Sequence, residues 1–161
     1  MRYIGAMFEV LVFVYENYWR GDACPELPLL GRKLSAVGFE PTEIEEALHW
    51  LDGLNLVAVA AEETSPVHPQ SPTSLRVYSA QEQDHLGAQC LGFVRFLEAA
   101  GVLPASMREI VIDRAMAAPG DPVSVDDLKI IVMMVYWRFG KEPDSLILDE
   151  LSDDRSDRVA H

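Results

Sequence analysis

The stretch that decides the fold is Ser124-Val125-Asp126-Asp127-Leu128-Lys129-Ile130-Ile131-Val132-Met133-Met134-Val135-Tyr136-Trp137-Arg138-Phe139. Leu128, Ile131, Val132, Val135 and Phe139 recur at helical spacing, and Ile130, Met133, Met134 and Trp137 fill the opposite side. A helix that is apolar almost all round belongs inside the packing rather than on its surface. Ser124 and Asp127 stand at the separation in which a hydroxyl caps the third amide while the carboxylate reaches back. Asp126 and Asp127, which might be read as a carboxylate pair, are accounted for by their place in the first turn, where acids oppose the helix dipole. Tyr136, Trp137 and Phe139 read as core packing more than as an interaction stripe.

Working outward, the same spacing marks three more helix starts: Thr42 with Glu45, Ser79 with Glu82 and Ser106 with Glu109. Apolar periodicity supports each, through Ile44, Ala47, Leu48, Leu51 and Leu54, then Leu86, Cys90, Val94 and Leu97, then Met107, Ile110, Val111 and Ala115. Two helices precede them. Residues 7–20 are apolar on nearly every side, and Leu27, Leu30, Leu34 and Val37 repeat until Gly38 stops the run. Between the third and fourth helices the period changes. Leu56, Val57 and Val59, then Leu75, Val77 and Tyr78, read as two short strands around the Pro- and Ser-rich residues 62–73. The expected fold is therefore mostly α, with about six helices and a small β-hairpin at 56–78. Helix, helix, helix, hairpin is also the order of a winged-helix unit, so residues 7–79 are expected to be winged-helix-like and 79–151 helical, within one domain. Leu146 to Leu148 and Leu151 suggest a last helical turn, and 152–161 a flexible acidic tail.

The 161 residues carry 26 acids against 13 bases, a formal charge of −13. That balance disfavours binding to nucleic acid or to anionic lipid, both of which depend on Lys and Arg, and favours basic partners. The third helix, where a winged-helix protein reads base edges, holds Glu43, Glu45, Glu46 and Asp52 and no Lys or Arg. Cys24 and Cys90 alone build neither a disulfide scaffold nor a zinc site, and read as thiols in a reducing compartment. With no apolar run near the ~20 residues that span a bilayer and no signal-peptide pattern, the cytoplasm is the expected location.

Several residues and runs are similar to those of the bacterial Smg family: Met7-Phe8-Glu9-Val10-Leu11; Gly38-Phe39 followed by Ile44 and Ala47-Leu48-His49-Trp50-Leu51; and Leu75-Arg76-Val77-Tyr78-Ser79. So are Cys90-Leu91-Gly92-Phe93 with Phe96-Leu97-Glu98, Arg108-Glu109-Ile110-Val111-Ile112-Asp113-Arg114 and Val125-Asp126-Asp127-Leu128-Lys129. The resemblance runs in order from Met7 to Leu151 and departs from the family in 62–73 and beyond 151. It implies that Met7 is the native start. The family's biochemical function is unknown and its genes often sit near those for DNA processing and translation initiation, so the resemblance carries over no catalytic residue.

No Gly-rich phosphate loop, G-x-S-x-G, H-E-x-x-H or dinucleotide fingerprint occurs, and no catalytic, cofactor-binding or metal-ligating residue is assigned. His49 has Glu45 one turn earlier, but no nucleophile or second ligand beside it. His68, His85 and His161 read as ordinary surface residues, and Arg108, Asp113 and Arg114 as a salt-linked surface. One candidate interaction surface remains. A wheel centred between Leu48 and Leu51 turns Glu45, Glu46, His49 and Gly53 outward and leaves Trp50 at the border, and Asp52 is counted with Glu45 and Glu46 in the acidic outer face. The expected function is a non-catalytic cytoplasmic adaptor or regulator that binds a basic protein, with a winged-helix regulator of nucleic-acid processing as the alternative; the sequence leaves the oligomeric state open.

Overall fold

A computed structural model describes residues 6–18, 25–63, 77–118 and 122–140. They form six helices: α1 (Ala6–Asn17), α2 (Leu27–Val37), α3 (Pro41–Glu63), α4 (Ala80–Ala99), α5 (Ala105–Met116) and α6 (Val125–Arg138). There is no strand among the described residues, which corrects the expected hairpin. Leu56, Val57 and Val59 belong to α3, which runs nine residues past the expected end at Leu54. The physical reason lies in the same segment. Ala58, Ala60 and Ala61 are the strongest helix formers, no Gly or Pro intervenes before Pro66, and Leu54 and Ala58 sit buried one turn apart while Leu56 and Val59 face out. Burial with period four outweighed the β preference of two valines. Of the second run, Leu75 and the loop before it lie outside the described residues, Val77 is exposed, and Tyr78 is buried in the lead-in to α4. Among the described residues the winged-helix-like reading therefore has no wing. The expected turn at 146–151 and the tail at 152–161 also lie outside the described residues.

α6 holds the centre, packed against α1, α3, α4 and α5. Its residues Leu128 to Trp137 are all buried, Lys129 included. At roughly 1.5–3 kcal/mol for each large apolar side chain removed from water, this helix is the main hydrophobic contribution to the fold. Polar tips tie its end to three other parts of the chain: the Tyr136 hydroxyl donates to the Val102 carbonyl, Trp137 Nε1 donates to the Tyr18 carbonyl at 2.6 Å, and Arg138 Nε donates to Asn55 Oδ1 at 2.7 Å.

The helix starts divide into two kinds. Ser79 and Glu82 form the full reciprocal box that caps α4, and the Ser124 hydroxyl accepts from the Asp127 amide at 3.1 Å to cap α6. Thr42 and Ser106 are not caps, because each helix starts earlier than its hydroxyl requires. Pro41 opens α3 in the position where a missing amide costs nothing, and α5 begins at Ala105 directly after an extended Pro104. Gly38, with φ of 118°, closes α2 as expected, its amide reaching back to Leu34 and Ser35.

Arg108 also departs from expectation. It is 3% exposed rather than on a salt-linked surface, with Nη1 2.9 Å from Glu98 Oε2 and Nε 2.8 Å from Glu109 Oε2, so it locks α5 to α4. Burial alone would weaken its hold on the proton, but the hydrogen bonds and charges of Glu98 and Glu109 outweigh this and the net shift is upward.

Candidate interaction surface

α3 presents Glu45, Glu46, His49 and Asp52 to solvent. Trp50 does not join them on the surface: it is 2% exposed, and its indole belongs to the contact between α3 and α5. The buried side of α3 comprises Ile44, Ala47, Trp50, Leu51, Leu54 and Ala58, with Leu48 half-buried. The wheel expectation shifts because α3 packs on α1, α2, α5 and α6, and so buries a wider arc than one partner would.

Trp50 and Arg114 are joined twice. Trp50 Nε1 donates to the Arg114 carbonyl at 3.1 Å, and Arg114 Nη1 donates to the Trp50 carbonyl at 3.1 Å. The guanidinium lies 5.7 Å from the Trp50 ring centroid, a cation–π arrangement, and its Nη2 pairs with Asp113 Oδ2 at 2.9 Å. Gly53 makes room for it. A Cβ there would lie 2.3 Å from Arg114 Nη1, so the guanidinium sits over α3 at this point because position 53 has no side chain.

Beside this junction lies a groove of about 410 Å³. Its buried lining includes Met7, Trp50 and Ala118, and Gly53 and Arg114 close one part of it. The exposed lining residues, which form its rim, are Glu46, His49, Asp52, Leu56 and Ala117. The fold thus brings four of the five candidate residues together around one depression and leaves Glu45 beside it. It adds residues that sequence reasoning missed: Met7, Leu56, Arg114, Ala117 and Ala118. One signal was present for the far wall. A glycine inside a strongly periodic helix, as at Gly53, marks a close approach by another element.

Elsewhere the polar groups serve the fold. His85, expected on the surface, is half-buried, with Nε2 3.0 Å from both the Ala115 and the Ala118 carbonyls. Since carbonyls only accept, that nitrogen carries the proton and fastens the end of α5 to α4. Gly87, with φ of 76°, breaks the helical path of α4, and the His85 carbonyl accepts instead from the Val123 amide at 2.8 Å. Cys90 is buried and its thiol donates to the Val123 carbonyl at 3.0 Å. Burial, reinforced by the charge of Asp127, pushes that thiol up to about 11, which keeps it protonated and unreactive near neutrality. Cys24, His68 and His161 lie outside the described residues. Among the described residues no three His, Cys, Asp or Glu side chains are grouped so as to hold a metal ion, and no helix is long and apolar enough to cross a membrane.

The chain has extensive relatives. Residues 7–161 match the family described as "Protein of unknown function (DUF494)". A protein of Methylibium petroleiphilum named "Protein Smg homolog" is 63% identical over 155 residues, covering 96% of this chain and all of the relative. Proteins with the same name from Leptothrix cholodnii and Herminiimonas arsenicoxydans are 62% and 48% identical, again over 96% of this chain and all of each relative. No solved structure matches the chain. The profile match and the full-length relatives agree with the residues quoted from the sequence, and on those grounds the chain belongs to the bacterial Smg family, DUF494.

Proposed function

We infer that this Smg-family chain is a non-catalytic cytoplasmic adaptor or regulator that docks a basic protein on the outer face of α3. The observation that carries this reading is the placement of exposed Glu46, His49 and Asp52 around a groove whose buried lining is apolar, with Glu45 alongside. An apolar depression rimmed by one sign of charge selects partners twice, by steering and by fit. Trp50 supports the floor rather than projecting as an anchor. The nucleic-acid alternative keeps only the order of its helices and the gene neighbourhood. α3 would bring Glu45, Glu46 and Asp52 against phosphates, and the described residues supply no wing.

The test is comparative affinity capture from a cell extract, using the wild-type chain and Glu45→Lys/Glu46→Lys. A basic protein retained by the first and lost from the second, with retention that weakens as salt rises, is the expected result. Equal capture by both chains overturns the reading. Tight, salt-sensitive mobility shifts with DNA or RNA would instead favour the alternative.

A further inference from the structure

We propose that the groove between α3 and α5 is a receptor for a short amphipathic helix of a partner protein, with one aliphatic side chain seated in the groove and Lys or Arg one turn to either side. This rests on the reading that the acidic face binds a basic protein, and narrows it to a shape.

The length of the groove comes from α3. Glu46, His49, Gly53 and Leu56 line it, a stripe at helical spacing that covers about 15 Å along the axis. That is two to three turns of a second helix lying alongside, the usual footprint of helix-in-groove recognition. Its volume of about 410 Å³ accommodates an aliphatic side chain with its neighbouring backbone. Leu56, 66% exposed at the rim, continues the apolar lining outward, so a ligand gains by covering it.

Charge decides the sign of the ligand's flanks. Glu46 and Asp52 stand on one wall. On the other, Ala117 is the C-cap of α5, where the helix dipole presents its negative end. Among the described residues of the lining Arg114 is the one Lys or Arg, and Asp113 and the Trp50 carbonyl already engage it. A cation on the ligand is therefore favoured from both walls. A second copy of this chain, at −13, would bring acids against acids.

The probe is a phage-displayed library of 16-residue helices with randomised surfaces, selected on the full chain and then titrated as free peptides against three proteins: wild type, Leu56→Gln and Glu46→Lys. Leu56 and Glu46 are exposed, and helical circular dichroism checks that both variants fold. The expected result is enrichment of Leu, Ile or Met flanked at three or four residues by Lys or Arg, with binding weakened tenfold or more by either substitution. Acidic enriched sequences, or no enrichment over a carrier-protein control, overturn the proposal. Basic sequences that Glu46→Lys weakens and Leu56→Gln leaves alone also overturn the helix receptor while the acidic-face reading stands. Dimers of the chain that Leu56→Gln dissolves, with no peptide selected, assign the groove to a second copy and overturn it as well.

Discussion

Trp50 illustrates how a residue can sit in a functional pattern and still belong to the fold. Its indole is buried and donates to the Arg114 carbonyl, while the Arg114 guanidinium donates to the Trp50 backbone carbonyl, so Trp50→Ala should destabilise by about 3–5 kcal/mol, read by urea unfolding. A loss below about 1 kcal/mol would return the ring to the surface. Gly53 makes a second, sharper test of the same junction. Alanine in a helix interior gains up to about 1 kcal/mol over glycine, but here its methyl would displace the Arg114 guanidinium. Gly53→Ala should therefore stabilise the chain only when Arg114 is also replaced by Ala, and additive effects in that double-mutant cycle would deny the contact. Periodicity made the exposure of Glu45, Glu46, His49 and Asp52 legible. It could not reveal Arg114, because the register of α5 against α3 is fixed by packing across 64 residues of chain. A third residue-scale expectation concerns pH. The Cys90 thiol titrates higher in the fold than in the unfolded chain, so the unfolded state loses its proton first as pH rises. Stability present below about pH 9 should fall between the ordinary value of 9.0 and about 11, and Cys90→Ala should flatten that fall. The rise at Tyr136, caused by burial, adds to the loss at the alkaline end.

The elements show where sequence patterns are sufficient and where they are not. Four hydroxyl-to-acid spacings looked alike, yet only Ser79 and Ser124 cap their helices. The pattern is a statement about two residues three positions apart, whereas the start of a helix also depends on what precedes it. Pro41 at the first position of α3 and Pro104 before α5 moved both starts upstream. Ser79→Ala should cost about 1 kcal/mol, and Ser106→Ala, an exposed residue inside its helix, should stay within about 0.5 kcal/mol. Equal losses would mean that α5 starts later than Ala105. The expected hairpin failed for the complementary reason. Two valines suggested strand, but a strand needs a partner edge, and the alanines around them let α3 continue instead. The break in α4 was announced only by Gly87 itself. At φ 76° and ψ 165° Gly87 occupies a region that costs a residue with a Cβ roughly 1–3 kcal/mol, so Gly87→Ala should destabilise although the space beside it is open to 3.5 Å.

For the whole molecule the governing quantity is the charge of −13, which opposes folding and, on the proposed function, favours binding. Acids spread over the surface repel one another, and this opposes the compact state. Salt screens such repulsion beyond roughly 8 Å at physiological strength, so the melting temperature should rise from low salt to ~0.15 M. On the proposed function, attraction of a basic partner to Glu45, Glu46 and Asp52 would pass through the same solvent and be screened by the same ions, so its association rate should fall over that interval. Glu45→Lys/Glu46→Lys lowers the surface charge without touching a buried group, since both side chains are exposed. The doubly reversed chain should therefore melt at or slightly above the wild-type temperature in low salt, gain less from added salt, and bind its basic partner more slowly with little change in dissociation. Calorimetric melts at two salt concentrations, paired with stopped-flow association, measure both halves. A melting temperature that drops on reversal would mean these acids support the fold through interactions with basic neighbours, and a binding rate indifferent to both salt and reversal would move the partner's landing site off α3.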